Sequence, residues 1–284
     1  MVGVLSGGGA DVRIGLSGWT YPHWRKAFYP AGLAQRRELE FASRAFSTLE
    51  INGSFYSLQR PSSYRAWRDA TPGDFLFAVK GGRFITHQKK LANVDQPLAT
   101  FFASGLLDLG ERLGPILWQL PPGLAYHPER MAAFFARLPM TTDDAARLAA
   151  GYEPRLFERW SQEPVVRAAV PGAIQHAVEV RHPSFATGEF AAQCRESGIA
   201  LVVADTAGRF PWVDEVTADL VYVRLHGDAE LYLSQYSDQG LDRWADRIRG
   251  WARTPGVRRV CVYFDNDGYA HAPQDAARLV QRLG

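Results

Sequence analysis

Three chemically different side chains follow one another in HAVEVRHPSF, residues 176–185: the carboxylate Glu179, the guanidinium Arg181 and the imidazole His182. Val178 and Val180 alternate with Glu179 and Arg181, the period of a strand with two unlike faces. Other strand-like runs do the same near their ends. Glu50 and Asn52 alternate with Leu49 and Ile51, and Ala78 and Lys80 with Phe77 and Val79. Gln119 lies between Trp118 and Leu120, and one run ends in Asp205. Tyr222, Arg224 and His226 alternate with Val221, Val223 and Leu225; a last run gives Tyr263 and Asp265, then Asn266.

Buried charge is costly unless it is paired and hydrogen-bonded. A set of charges in phase on several strands is therefore either an internal ion-pair network or a site. In the first case Lys80, Arg181 and Arg224 neutralise Glu50, Glu179 and Asp205. In the second, Lys80, Arg83, Arg181 and Arg224 clamp an anion, since the guanidinium fork matches carboxylate and phosphate oxygens. Glu50 and Glu179, with Asp205, supply acid and base. His87, His182 and His226 carry protons near neutral pH. Trp19, Tyr21 and Tyr56 wall the pocket, with simple packing the competing role for Trp19, Tyr21 and Trp24. The chemistry expected is that of an enzyme on an anionic small molecule, bearing phosphate or carboxylate, of hydrolase or isomerase/lyase type.

Two alternatives use the same residues. Glu50, Glu179, Asp205, His182 and His226 are the donors a divalent-metal phosphodiesterase would need. Cations interleave with all of them, no HxH or HExxH spacing is present, and no metal or other cofactor is expected. A non-catalytic nucleotide or nucleic-acid binder would use the arginines with Trp and Tyr as stacking platforms. The net charge of +2, from 32 basic and 30 acidic residues, speaks against extended duplex contact. No GxSxG elbow and no flavin or nicotinamide fingerprint occurs. Gly7-Gly8-Gly9 lacks the Gly-Lys-Ser/Thr ending of a phosphate loop and precedes a strand.

The elements that must position these groups are short β-branched or aromatic runs at 12–17, 47–52, 75–80, 116–120, 177–181, 199–204, 220–226 and 260–265. Helical patterns are expected at 33–45, 97–112, 128–137, 186–197, 239–252 and 273–283. Strand and helix alternating about eight times predicts an α/β fold, a (β/α)8 TIM-like barrel, with the polar residues at its C-terminal mouth. An open doubly wound sheet would call for a glycine fingerprint after the first strand. The connection between the fourth and fifth strands, 121–176, is elaborated with proline pairs and a charged helix pair. The unit between the sixth and seventh strands, through TAGRFPWVDEVTAD, is degenerate. Residues 1–11 are expected to be a flexible tail and 12–284 one domain.

The chain has 284 residues, 46% hydrophobic and 22% charged, an ordinary globular composition. Its two cysteines, Cys194 and Cys261, have no metal-like spacing and are expected to be buried thiols. The start MVGVLSGGGADVR lacks a basic region and a long apolar core, and no apolar run reaches the roughly 18 residues of a membrane span. A cytoplasmic protein with no membrane partner is expected.

GWTYPHWRKAFYP (18–30), LEINGSFYSLQRP (49–61), FAVKGGRFITHQKKL (77–91), LGPILWQLPP (113–122), HAVEVRHPSF (176–185), VYVRLHG (221–227) and VYFDNDGYAHAP (262–273) stand in one order. Together they resemble the YecE-like family, domain of unknown function 72 (DUF72), over about residues 12–275. The resemblance implies a TIM-like barrel and a bacterial intracellular protein, and supplies no established activity. It falls on Trp19, Tyr21, Glu50, Asn52, Phe55, Tyr56, Lys80, Arg83, His87, Gln119, Glu179, Arg181, His182, Asp205, Arg224, His226 and Asn266. It thereby adds Asn52, Gln119 and Asn266 to the candidate binding groups. The chain departs from the pattern at Gly82, where Ser or another small residue is usual, at Asp265, where asparagine is common, and in a shortened stretch after Asp267.

Overall fold

The computed structural model describes residues 9–284. Most of the expected tail lies outside the described residues; Ala10 is buried and the first strand begins at Asp11. All the strand pairs are parallel, and helices follow the strands along the chain, which is the α/β class of the TIM-like barrel.

The chain forms two compact units, one of residues 9–50 with 183–284 and one of Ile51–His182. In the first, β1 (Asp11–Ser17) pairs with the start of β2 (Thr48–Ile51) on one side and with the strand Arg259–Phe264 on the other. Helix α1 (Glu38–Ala45) precedes β2, behind a short 3-10 turn at Gln35–Arg37. In the second unit α2 (Gly53–Tyr56) and α3 (Pro61–Asp69) lead to β3 (Leu76–Lys80). A π-helical turn at Phe84–Gln88 and α4 (Asp95–Ala103) follow, then β4 (Leu113–Gln119). The elaborated connection carries α5 (Pro128–Phe135), α6 (Thr142–Ala149) and α7 (Pro154–Trp160), and ends in β5 (His176–Glu179). The order here is β3-β4-β5. The first unit resumes with α8 (Gly188–Glu196), β6 (Ala200–Leu201), β7 (Val203–Asp205), β8 (Leu220–Leu225), α9 (Asp238–Ala252), β9 (Arg259–Phe264) and α10 (His271–Leu283). Its strands run in the order β2-β1-β9-β8-β7.

Helix starts follow local chemistry. Ser237, Thr187 and Thr141 accept backbone N–H groups at the starts of α9, α8 and α6, and Pro61, Pro128 and Pro154 open α3, α5 and α7. The helix expected at 97–112 ends at Ala103, because Gly105 adopts φ 121° and the chain continues as a 3-10 stretch, Leu106–Arg112. The strand expected at 199–204 is two. The loop residue Thr217 donates to the Ile199 carbonyl and accepts from the Leu201 N–H, taking hydrogen bonds a strand partner would make. The degenerate 206–219 segment has neither helix nor strand. Strand β5 stops at Glu179, so Arg181 lies beyond it.

In the second unit Trp118 is wholly buried, and its indole Nε1 donates to His176 Nδ1 at 3.1 Å. His176 Nε2 lies 2.8 Å from the Pro139 carbonyl, so the ring is the Nε2–H tautomer, and burial lowers its pKa to about 4. The fixed indole explains Gly81: a Cβ there would lie 2.3 Å from the Trp118 ring. Gly81→Ala is expected to destabilise by about 2 kcal/mol or more, as overpacking of a rigid core does. Thermal unfolding of the variant checks it; an unchanged midpoint would show that Trp118 yields.

Cys194 and Cys261 are both buried thiols, pushed up by burial to about 12 and about 11. Among the described residues no helix is long and apolar enough to cross a membrane.

Candidate functional site

Each unit gathers polar side chains at the C-terminal ends of its strands. In the first unit the centre is Glu50, fully buried on β2. Its Oε1 accepts from Ser17 Oγ at 2.6 Å and Arg224 Nη2 at 2.9 Å. Its Oε2 accepts from Tyr222 at 2.7 Å and Arg224 Nε at 3.1 Å. The ends of β1, β2 and β8 are thus tied by one bidentate pair. Arg224 Nη2 also donates to Asp265 Oδ2 at 3.0 Å, just past β9, and to Ser17 Oγ at 3.1 Å. His226 Nε2 lies 3.4 Å from Arg224 Nη1. Its Nδ1 lies 3.0 Å from Asp265 but off the hydrogen-bond line, and stays unsatisfied in a fully buried ring.

Asp205 accepts from Tyr236 at 2.9 Å at the end of β7, and its pKa is raised by burial against that hydrogen bond. Asn266 is fully buried just past β9. Its amide donates to the Ser234 carbonyl at 3.0 Å and to Asp275 on α10 at 2.8 Å. Asp267 is raised to about 6, first by burial and then by Asp265. Tyr21 spends its hydroxyl on the Ser17 carbonyl at 2.7 Å and packs on Trp24 at 4.6 Å; Trp19 is half-buried and its carbonyl accepts from Tyr29 at 2.5 Å.

In the second unit Glu179 at the end of β5 accepts from Arg181 Nε at 2.8 Å, and Arg181 Nη2 donates to Gln119 of β4 at 3.1 Å. Lys80, ending β3, places its ammonium 4.5 Å over the Phe55 ring. His87 meets the same ring edge-on at 5.1 Å, and its Nδ1 lies 2.9 Å from Thr86 Oγ1. Its pKa falls to about 4, first by burial, then through Arg181, Arg83 and Lys80, against Glu179 alone. Asn52 and His182 are half-buried, Arg83 is exposed, and Tyr56 is 70% exposed.

The second unit therefore brings Lys80, Arg83, His87, Glu179 and Arg181 into one electrostatic group, with Gln119 held by Arg181. The first unit brings together Glu50, Arg224 and His226. Among the described residues no group of three His, Cys, Asp or Glu stands close enough to hold a metal ion. Sequence reasoning missed Ser17 and Tyr236. Ser17 is visible as the last residue of β1, but a serine there signals nothing alone. Tyr236 lies in an irregular segment with no period to mark it.

A cleft of about 900 Å³ also lies within the second unit, where α2, the π-helical turn and α4 meet α7. Phe55 and Arg83 line it, with Tyr56 and Phe84 at its side and Arg155 and Arg159 from α7.

The chain is 29% identical to UPF0759 protein YunF of Bacillus subtilis, over 96% of its own length and 94% of that protein's. It is also 29% identical to UPF0759 protein YecE of Escherichia coli K12, over 63% of this chain, and there it spans about half (52%) of the relative's length. A solved DUF72 family protein of Thermotoga maritima MSB8 superposes with a TM-score of 0.74 at 24% identity, covering 96% of this chain and 98% of the other. A second, from Enterococcus faecalis V583, gives 0.69 at 17% identity, over 96% and 95%. These two likenesses show the fold. The model of the family described as protein of unknown function DUF72 matches residues 13–284, and the chain belongs to that family.

Proposed function

We propose that this protein is an enzyme that binds an anionic small molecule, bearing phosphate or carboxylate, at the C-terminal ends of β3, β4 and β5, and moves protons with Glu179 and the histidine side chains there. One observation carries the reading: the charges acting on His87 are three cations, Lys80, Arg83 and Arg181, and one carboxylate, Glu179. Guanidinium and ammonium groups around a neutral imidazole are the parts of an oxyanion clamp with a proton carrier beside it. Glu50 and Arg224 serve as the frame of the first unit in this reading, because the four hydrogen bonds on the Glu50 oxygens come from Arg224, Ser17 and Tyr222, and Arg224 also donates to Asp265.

Titration calorimetry with inorganic phosphate at low ionic strength tests it. Binding to the native protein is expected, and Arg83→Ala and Lys80→Met are each expected to weaken it about tenfold, the worth of one charge-assisted hydrogen bond. Arg83 is exposed and in no ion pair among the described residues, so its variant keeps the fold. Absence of phosphate binding, or indifference to both substitutions, would overturn the reading.

A further inference from the structure

The cleft of the second unit shares a wall with the proposed anion site. The Phe55 ring carries Lys80 and His87, and Phe55 also lines the cleft. A ligand whose reacting group sits at Lys80 and Arg83 has its remaining body in that space. The chemistry of the cleft then describes the body.

The cleft has an apolar floor in Phe55, Ile85 and Phe101. Its charged lining is Arg83, Arg155, Arg159 and Glu153. Glu153 is already engaged: its Oε2 accepts from Gln96 at 3.1 Å and its Oε1 from the Arg155 N–H. The three arginines are exposed and make no ion pair among the described residues. Of the four aromatic rings in the lining, Phe101 is wholly buried and two others carry cations. Lys80 lies over Phe55, and Lys89 lies 5.6 Å over Phe84. Tyr56 is 70% exposed, touches Phe55 edge-to-face at 5.1 Å, and carries no cation among the described residues. A volume of about 900 Å³ is that of a site for a drug-sized molecule, far more than an inorganic oxyanion needs.

We infer that the cleft binds the body of a nucleoside phosphate, with the planar base stacked on Tyr56 and a second anionic group held by Arg155 and Arg159. The inference rests on the preceding reading for the place of the reacting group, and it names the substrate class.

Calorimetry with adenosine diphosphate and with inorganic pyrophosphate, at equal ionic strength, tests it. Adenosine diphosphate is expected to bind at least tenfold more tightly than pyrophosphate, since stacking of one base on an aromatic ring is worth about 1–3 kcal/mol. Tyr56→Ala is expected to erase that preference and leave pyrophosphate unaffected. Arg155→Ala with Arg159→Ala is expected to weaken adenosine diphosphate about tenfold or more. These residues are exposed, and circular dichroism is the check that the variants fold. Equal affinity for the two probes, or a preference that survives Tyr56→Ala, would overturn the inference. If Tyr56→Ala and the double arginine variant change nothing while Lys80→Met abolishes pyrophosphate binding, the anion site stands and the cleft assignment falls. If Lys80→Met changes nothing while the cleft variants abolish adenosine diphosphate binding, the cleft assignment stands and the site at the strand ends falls.

Discussion

Arg224→Met should destabilise the protein by about 3–5 kcal/mol, the loss expected when one partner of a buried ion pair is removed. Arg224 and Glu50 are both fully buried, and the guanidinium supplies one of the two hydrogen bonds on each Glu50 oxygen. Methionine fills similar volume and donates nothing. Glu50 is then left with Ser17 and Tyr222 as donors and no cation, and Asp265 loses the same partner. Urea unfolding at neutral pH measures the loss. Adding Glu50→Gln should recover part of it, because a neutral amide needs no counter-charge. A single variant within about 1 kcal/mol of the native protein, or a double variant no better than the single, would show that this pair is not what holds the ends of β1, β2 and β8 together.

The second large effect is on pH dependence. The His87 pKa is lowered from 6.5 to about 4 by burial and by Arg181, Arg83 and Lys80. An anion bound among those cations offsets their field and raises the pKa towards its ordinary value. The bound state then holds more protons than the free one between the two pKa values, so affinity increases as pH falls through that window. The slope is at most tenfold per pH unit. The ceiling is about 300-fold, reached if the whole shift from 6.5 to about 4 is reversed. Sulfate is the suitable probe, since it stays a dianion throughout. Calorimetry in two buffers of different ionisation enthalpy reads the proton uptake directly, and His87→Asn should remove it. A sulfate affinity that is flat with pH, or a slope that persists in His87→Asn, would place the proton elsewhere.

Much of this was legible from alternation alone. Glu50, Lys80, Gln119, Glu179 and Arg224 were marked as polar residues in phase at strand ends, and the structure buries all five. Alternation specifies a face but not a partner, so it could not separate Glu50, saturated by four donors, from Glu179 beside Arg181. Asn266 stands in the same phase at a strand end, yet its amide serves Asp275, nine residues on in the next helix, a distance that periodicity does not span. The strand at 199–204 reads as one because its residues are uniformly apolar; only the side chain of Thr217, far along the chain, divides it. The cleft was invisible for a similar reason. Arg155 and Arg159 sit on a helix of the long connection, where a basic residue reads as solvated surface until Tyr56 and Phe84 are seen beside it.

That connection has a consequence for how such a protein can change. Helices α5, α6 and α7 take no part in the pairing of β3, β4 and β5, yet α7 and its N-cap residue furnish Glu153, Arg155, Leu156 and Arg159 to the cleft. The cleft lining and the strand ladder therefore draw on different stretches of chain. If the cleft takes the ligand body as proposed, substitutions along α7 retune which body is accepted while the ladder that carries Lys80, Gln119 and Glu179 keeps its register, and the segment is then an exchangeable specificity cassette on a constant scaffold.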